Sequence, residues 1–192
     1  DRGSNSRGIC YHDSLIDIGS RRLLLLPPAM DTPPEPRILS LLSATTEIVC
    51  RLGLAHCLVG CSHGCDDPDI VTTLPVVTAP RVDPNAPSAE IDAAVRAQAS
   101  AGGPVYHIYN ASVVALKPDV IITQDQCRIC AVTKDDVRDA CASLPNPDAA
   151  RVVTVEPKTL DDVLGDVSTI AAACGVPGRG ARLVGSLRAR LA

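Results

Sequence analysis

A chain of 192 residues has the size of one globular domain with room for one small addition. Hydrophobic residues make up 46% and charged residues 21%, which excludes a disordered or fibrous chain. Eighteen Lys plus Arg against 22 Asp plus Glu leave a net charge of −4, and there are three Tyr, no Phe and no Trp, so neither the basic excess nor the aromatic platforms of a nucleic-acid binder are present.

Residues 1–36 mix Gly, Ser, Arg and Pro without periodicity and end in Thr32-Pro33-Pro34-Glu35-Pro36, the signature of a flexible leader and a Pro-rich boundary. The Leu23–Leu26 run stops at Pro27, far short of the about 20 apolar residues that cross a bilayer. It is also shorter than a secretory apolar segment, so no transmembrane segment and no clear export signal is expected, and the compartment stays open. With no initiator Met, a fragment or a processed chain is expected.

From Arg37 onward apolar runs alternate with helical spacing. Arg37–Leu42 reads as a buried strand, Thr45–Leu52 as a helix stopped by Gly53, and Leu58–Cys61 and Val76–Thr78 as strands. Ser88–Ala101 has Ile91, Val95 and Ala99 at four-residue spacing and ends at Gly102-Gly103-Pro104. Tyr106–Ile108 reads as a strand, Ala111–Leu116 as a helix, and Val120–Thr123 as a central strand buried on both faces. Thr133 and Thr159 each stand three residues before an Asp, a capping device that opens helices over Thr133–Ser143 and Thr159–Cys174, with Arg151–Val155 as the strand between them. Gly175–Gly180 interrupts, and Ala181–Ala192 resumes helical. The expected fold is α/β, a parallel sheet covered by helices on both faces.

Ligands of such sheets collect beyond the carboxyl ends of the strands. That rule selects Ser43–Glu47, Ser62–Pro68, Gln124–Cys130 and Glu156–Lys158. If the second and third loops share an edge, His63, Cys65, Cys127 and Cys130 could converge as three thiolates and an imidazole, a set suited to tetrahedral zinc. Other readings of the same thiols remain open. Cys127 and Cys130 have the spacing of a redox pair, although the next helix is capped only at Thr133, beyond the second Cys. They could equally form a structural disulfide, stay reduced and buried, or line a cleft without a metal. Nine Cys, an odd number, disfavour a complete disulfide framework, and Cys50, Cys57, Cys61, Cys141 and Cys174 fall at apolar positions suited to packing. Neither a phosphate-binding glycine loop nor a Gly-x-Ser-x-Gly elbow is present, so no enzyme is expected.

The Ser62-His63-Gly64-Cys65-Asp66 loop, the Gln124-x-x-Cys127-x-x-Cys130-Ala131 loop and Val114–Ile121 resemble the amino-terminal lobe of cobalamin-binding proteins. These belong to the iron-siderophore and cobalamin class of periplasmic substrate-binding proteins. The resemblance covers Arg37–Ala192 and implies a Rossmann-like lobe of a class III substrate-binding protein, ending in the start of the interlobe helix and lacking the second lobe. It implies a corrinoid (cobalamin) or a similar metal chelate as ligand, with Ser62, His63, Cys65, Asp66, Gln124, Cys127 and Cys130 at the cleft. Two positions depart from the pattern. Ala44 replaces the hydroxyl that caps the first helix in relatives, so Ser43 or Thr45 must substitute. Ala111 stands where transporter-coupled members carry a Glu that meets a permease arginine, which puts docking to an ABC transporter in doubt.

Overall fold

The structure is a computed structural model that describes residues 15–18, 21–24, 35–102, 104–126, 132–142, 146 and 150–192. Residues 1–34 and 35–192 form two compact units. In the first, β1 (Leu15–Ile18) and β2 (Arg21–Leu24) pair antiparallel with Leu15 opposite Leu24, a hairpin that lies within the stretch expected to be a leader.

The second unit is built on four parallel strands in the order β4-β3-β7-β8, namely β4 (Leu58–Cys61), β3 (Ile38–Ser40), β7 (Val120–Gln124) and β8 (Arg151–Val155). The expected parallel sheet is therefore present, and the Val-Ile-Ile run does form an inner strand whose five residues are all buried. One core cluster packs Ile38, Ile122, Val153 and Val155 against Val49 and Ile170; the other packs Leu39 and Ile121 against Val77, Val113 and Val137. Alternate residues of β3 and β7 thus feed opposite layers, as the period-2 geometry of a strand requires.

The helices are α1 (Ser43–Arg51), α2 (Ser88–Ser100), α3 (Asn110–Leu116), α4 (Lys134–Cys141), α5 (Leu160–Ala173) and α6 (Pro177–Leu191). Both expected capping boxes form: Thr133 accepts from the Asp136 amide and Thr159 from the Asp162 amide, and each Asp carboxylate accepts from the threonine N–H in return. Short 3₁₀ turns, Ala55–Cys57 and Asp69–Thr73, lead into and follow β4. Arg37 closes the far end of α3, donating from its guanidinium to the Leu116 carbonyl at 2.9 Å. Among the described residues, no helix is long and apolar enough to cross a membrane.

Three elements differ from the sequence reading. Val76 only bridges to Cys61, and the true strand is β5 (Thr78–Pro80), which pairs antiparallel with β6 (Tyr106–Ile108) as a separate ribbon. Pro80 has no N–H to give, which limits how far that ribbon can be joined to others. In α2, Ile91 and Val95 are only half-buried and Ala99 is exposed, so its four-residue spacing reflects helix formation more than core packing. Finally, the break before the last helix is shorter than expected: Gly175 takes φ +76° and α6 restarts at Pro177, whose fixed φ suits the first turn.

The α5–α6 contact depends on Gly180. A Cβ there would stand 2.5 Å from the Ala171 Cβ, whereas one at Gly185 meets nothing within 4 Å. Gly180→Val is expected to lose about 1–3 kcal/mol through overpacking, and Gly185→Ala to gain roughly 0.5–1 kcal/mol through helix propensity. Urea unfolding of the two variants checks the pair.

Candidate ligand-binding site

The four parallel strands send their carboxyl ends to one edge, where the β3–α1, β4, β7 and β8 loops meet. The β3–α1 turn is organised by a buried polar group. Ser40 is 0% exposed, and a hydroxyl so deep in the sheet needs partners. Its Oγ lies 2.8 Å from Thr45 Oγ1 and accepts from Thr46 Oγ1 at 2.8 Å, while Thr45 Oγ1 donates to the Leu42 carbonyl at 2.9 Å. This corrects the capping expectation: Leu42 is the N-cap of α1 and no side chain caps it. Ser43 instead donates to the Gly64 carbonyl, fastening the β4 loop to the α1 turn, and Thr45 is drawn inward by Ser40.

The same network reaches Cys65, whose Sγ lies 3.1 Å from Thr46 Oγ1 and 3.5 Å from Ser62 Oγ. With Cys65 as a thiol, one chain of donation can run from Cys65 through Thr46, Ser40 and Thr45 to the Leu42 carbonyl. With Cys65 as a thiolate, the Thr46 hydroxyl turns to it. The neighbouring Cys61 thiol, helped by Ser62 and Thr46, draws Cys65 below the ordinary cysteine range against the effect of burial. The same pairing, together with burial, pushes Cys61 up. Cys65 is thus turned into the core, at 8% exposure, rather than held out toward solvent.

His63 leaves the same loop outward. Its backbone N–H donates to Thr78 Oγ1 at 3.0 Å, its Nδ1 is 2.7 Å from the same oxygen, and its ring centroid is 5.2 Å from that of Tyr106. Partial burial of the ring lowers its pKa, with the nearby Cys65 acting in the opposite direction, so the imidazole is neutral at pH 7. Ser62, His63, Thr78, Tyr106 and Leu42 line a small cavity of about 60 Å³.

A larger cavity of about 410 Å³ opens beside it, between α1, α5 and the ends of β7 and β8. Leu42, Ile48, Val155 and Val163 make its wall apolar, with Gln124, Gln126 and Asp166 as polar points. Gln124 is 5% exposed and accepts from the Gln126 amide at 2.7 Å, while Gln126 Nε2 donates to the Pro157 carbonyl at 2.8 Å. Burial, and then the neighbouring Asp162, raise the pKa of Asp166. Leu42 lines both cavities, so the two share a wall.

Of the residues singled out in the sequence, Ser62, His63, Cys65 and Gln124 thus stand at one edge of the sheet, and Asp66 is exposed on the β4 loop. Cys127 and Cys130 lie outside the described residues. Cys57, Cys61, Cys141 and Cys174 are buried free thiols and Cys50 is half-buried, as their apolar settings suggested. Sequence reasoning missed Thr78 and Leu42 as site residues, and it placed Tyr106 only in a strand. Thr78 becomes a partner of His63 only through the path of the chain around the Asp69–Thr73 turn, which no local pattern announces.

No family profile and no curated protein matches the sequence. Solved structures do. The periplasmic heme-binding protein RhuT from Roseiflexus sp. RS-1 superposes with a TM-score of 0.57 at 21% identity, over 81% of this chain and 47% of that one. The periplasmic vitamin B12 binding protein BtuF of Vibrio cholerae gives 0.56 at 22% identity, over 82% and 49%. A periplasmic heme-binding protein from Pseudomonas aeruginosa gives 0.58 at 20% identity, over 82% and 44%. The fold is that of one lobe of a class III periplasmic binding protein. The chain spans a little under half the length of each of these proteins.

The hydroxyl network predicts a stability effect. Thr46→Val removes the donor to Ser40 and is expected to cost about 1–3 kcal/mol. Thr72→Val, at an exposed hydroxyl that donates to the Asp69 carbonyl, should stay within about 0.5 kcal/mol of the parent. Chemical denaturation of both variants reads the difference.

Proposed function

We propose that this chain is a non-enzymatic ligand-binding lobe for a corrinoid or a similar metal chelate. His63 is the group that meets the metal, and the apolar cavity beside it receives the flank of the macrocycle. The observation that carries the reading is the posture of His63 at the carboxyl edge of the sheet. Thr78 Oγ1 can accept from both the backbone N–H and Nδ1–H, and in that tautomer Nε2, on the opposite edge of the ring, keeps its lone pair. A second hydrogen bond of this kind is how proteins orient metal-binding imidazoles. The fold supports the reading, since similar structures belong to proteins described as binding heme and vitamin B12.

In this reading α6 is the start of the helix that joins the lobe to a second one, and the chain presents one wall of the cleft. The full affinity of a two-lobed protein is not expected of it. Ala111 is exposed and offers no charge for docking on a transporter.

Native mass spectrometry and visible absorbance of the purified chain, mixed separately with hydroxocobalamin and with hemin, test the proposal. A one-to-one adduct with at least one chelate is expected. His63→Ala should weaken it by at least about tenfold, the scale seen for groups that only support a metal ligand. Binding should also fall as pH is lowered through the pKa of His63, which lies below the ordinary value of about 6.5, because the protonated ring cannot ligate. Adducts with neither chelate, or an affinity indifferent to His63→Ala, would sink the reading. Zinc uptake lost in a Cys127→Ser/Cys130→Ser variant, without chelate binding, would favour a zinc or thiol-redox centre drawn from His63, Cys65, Cys127 and Cys130.

A further inference from the structure

The opposite edge of the sheet holds a different cluster. Glu35 lies three residues before β3, and His56 and Cys57 lie in the 3₁₀ turn that runs into β4. Because β3 and β4 are parallel neighbours, with Ile38 beside Leu58, the segments entering them arrive side by side. Glu35 Oε2 is 2.6 Å from His56 Nε2. Burial, and then the charge of this carboxylate, push the Cys57 thiol up. A carboxylate oxygen, an imidazole nitrogen and a sulfur, all within 4.8 Å of one another, therefore converge at one point.

We propose that Glu35, His56 and Cys57 bind a thiophilic divalent cation of the zinc class at the amino-terminal edge of the sheet, away from the ligand edge. Sulfur, imidazole nitrogen and carboxylate oxygen are the three donor types that zinc takes. Bonds of about 2.0–2.3 Å in a tetrahedron separate ligand atoms by roughly 3.3–3.8 Å, so the present spacing needs only small side-chain adjustments. The 2.6 Å Glu35–His56 contact opens as the cation comes between the two. A carboxylate, a thiolate and a neutral imidazole together balance a double positive charge.

The surroundings fit an ion that reaches solvent on one side. Glu35 and His56 are each 58% exposed, whereas Cys57 is 5% exposed and backed by Leu54, Leu58 and Cys174 in the core. Three protein ligands with an open side leave a position for water. Arg179, the cation that acts on Cys57, is tethered elsewhere, donating to the Leu52 and Gly53 carbonyls at 3.2 and 3.3 Å, so it does not take the place of the ion.

The test uses the whole chain, reduced and stripped with a chelator, then titrated with Co²⁺ and, in competition with a chromophoric chelator, with Zn²⁺. A sulfur-to-cobalt charge-transfer band in the near ultraviolet is expected at one equivalent. Even support groups around a metal are worth about 10–100-fold, so His56→Ala and Glu35→Gln should each weaken Zn²⁺ binding by at least about tenfold. Both positions are exposed, so these variants should fold, and circular dichroism confirms it; Cys57→Ser should abolish the cobalt band. The Cys127→Ser/Cys130→Ser and His63→Ala variants should keep it, which separates this site from the ligand edge. The proposal is overturned if no band forms, if the band survives in His56→Ala and Glu35→Gln at unchanged affinity, or if it is lost in the Cys127→Ser/Cys130→Ser variant.

Discussion

The burial of β3 between β4 and β7 is the constraint on which the rest of the domain depends. Ile38, Leu39 and Ser40 are each 0% exposed, so three residues must serve both core layers and both neighbouring strands. Ile38 and Leu39 each contribute roughly 1.5–3 kcal/mol by leaving water. Ser40 contributes no such gain, and its burial holds only because Thr45 and Thr46 reach back to it. That demand fixes the turn into α1 and, through Thr46, the posture of Cys65 on the adjacent loop. The polar end of the strand thus couples the core to the place where ligands are expected.

One loop carries two chemically different groups because it turns between them. Cys65 faces hydroxyl and thiol donors in the interior, while His63, two residues earlier, stands on Thr78 and against Tyr106. Burial opposes ionisation at both. At Cys65 converging donors overcome it, and at His63 it leaves a neutral ring. The two side chains therefore serve different ends, one consolidating the sheet edge and the other lining the small cavity there.

The two edges of the sheet also divide the work. At the carboxyl edge, helices α1 and α5 stand apart enough to leave an apolar cavity that shares Leu42 with the small cavity at His63. At the amino edge the incoming segments of neighbouring parallel strands are forced together, and this brings Glu35 to His56 and Cys57. Parallel pairing alone generates that second meeting. An antiparallel neighbour would have sent one of the two segments to the other end.

Much of the fold was legible in the sequence because its signals are local. The apolar runs Leu58–Cys61, Tyr106–Ile108 and Arg151–Val155 are strands with those bounds, and the two Thr-to-Asp capping devices open helices as their side-chain chemistry demands. The sequence by itself determined the alternation of strand and helix, hence the parallel sheet, and placed His63 and Gln124 at its carboxyl edge. It misjudged Thr45, which Ser40 claims, and Val76, whose place as a strand passes to Thr78. Only the tertiary structure decided that Cys65 turns inward, that Thr78 and Tyr106 hold His63, and that Glu35 meets His56 across 21 positions of chain. Propensity and capping act over three or four neighbours, whereas these contacts are set by the pairing of strands far apart in sequence, and no local pattern encodes which side chains that pairing brings together.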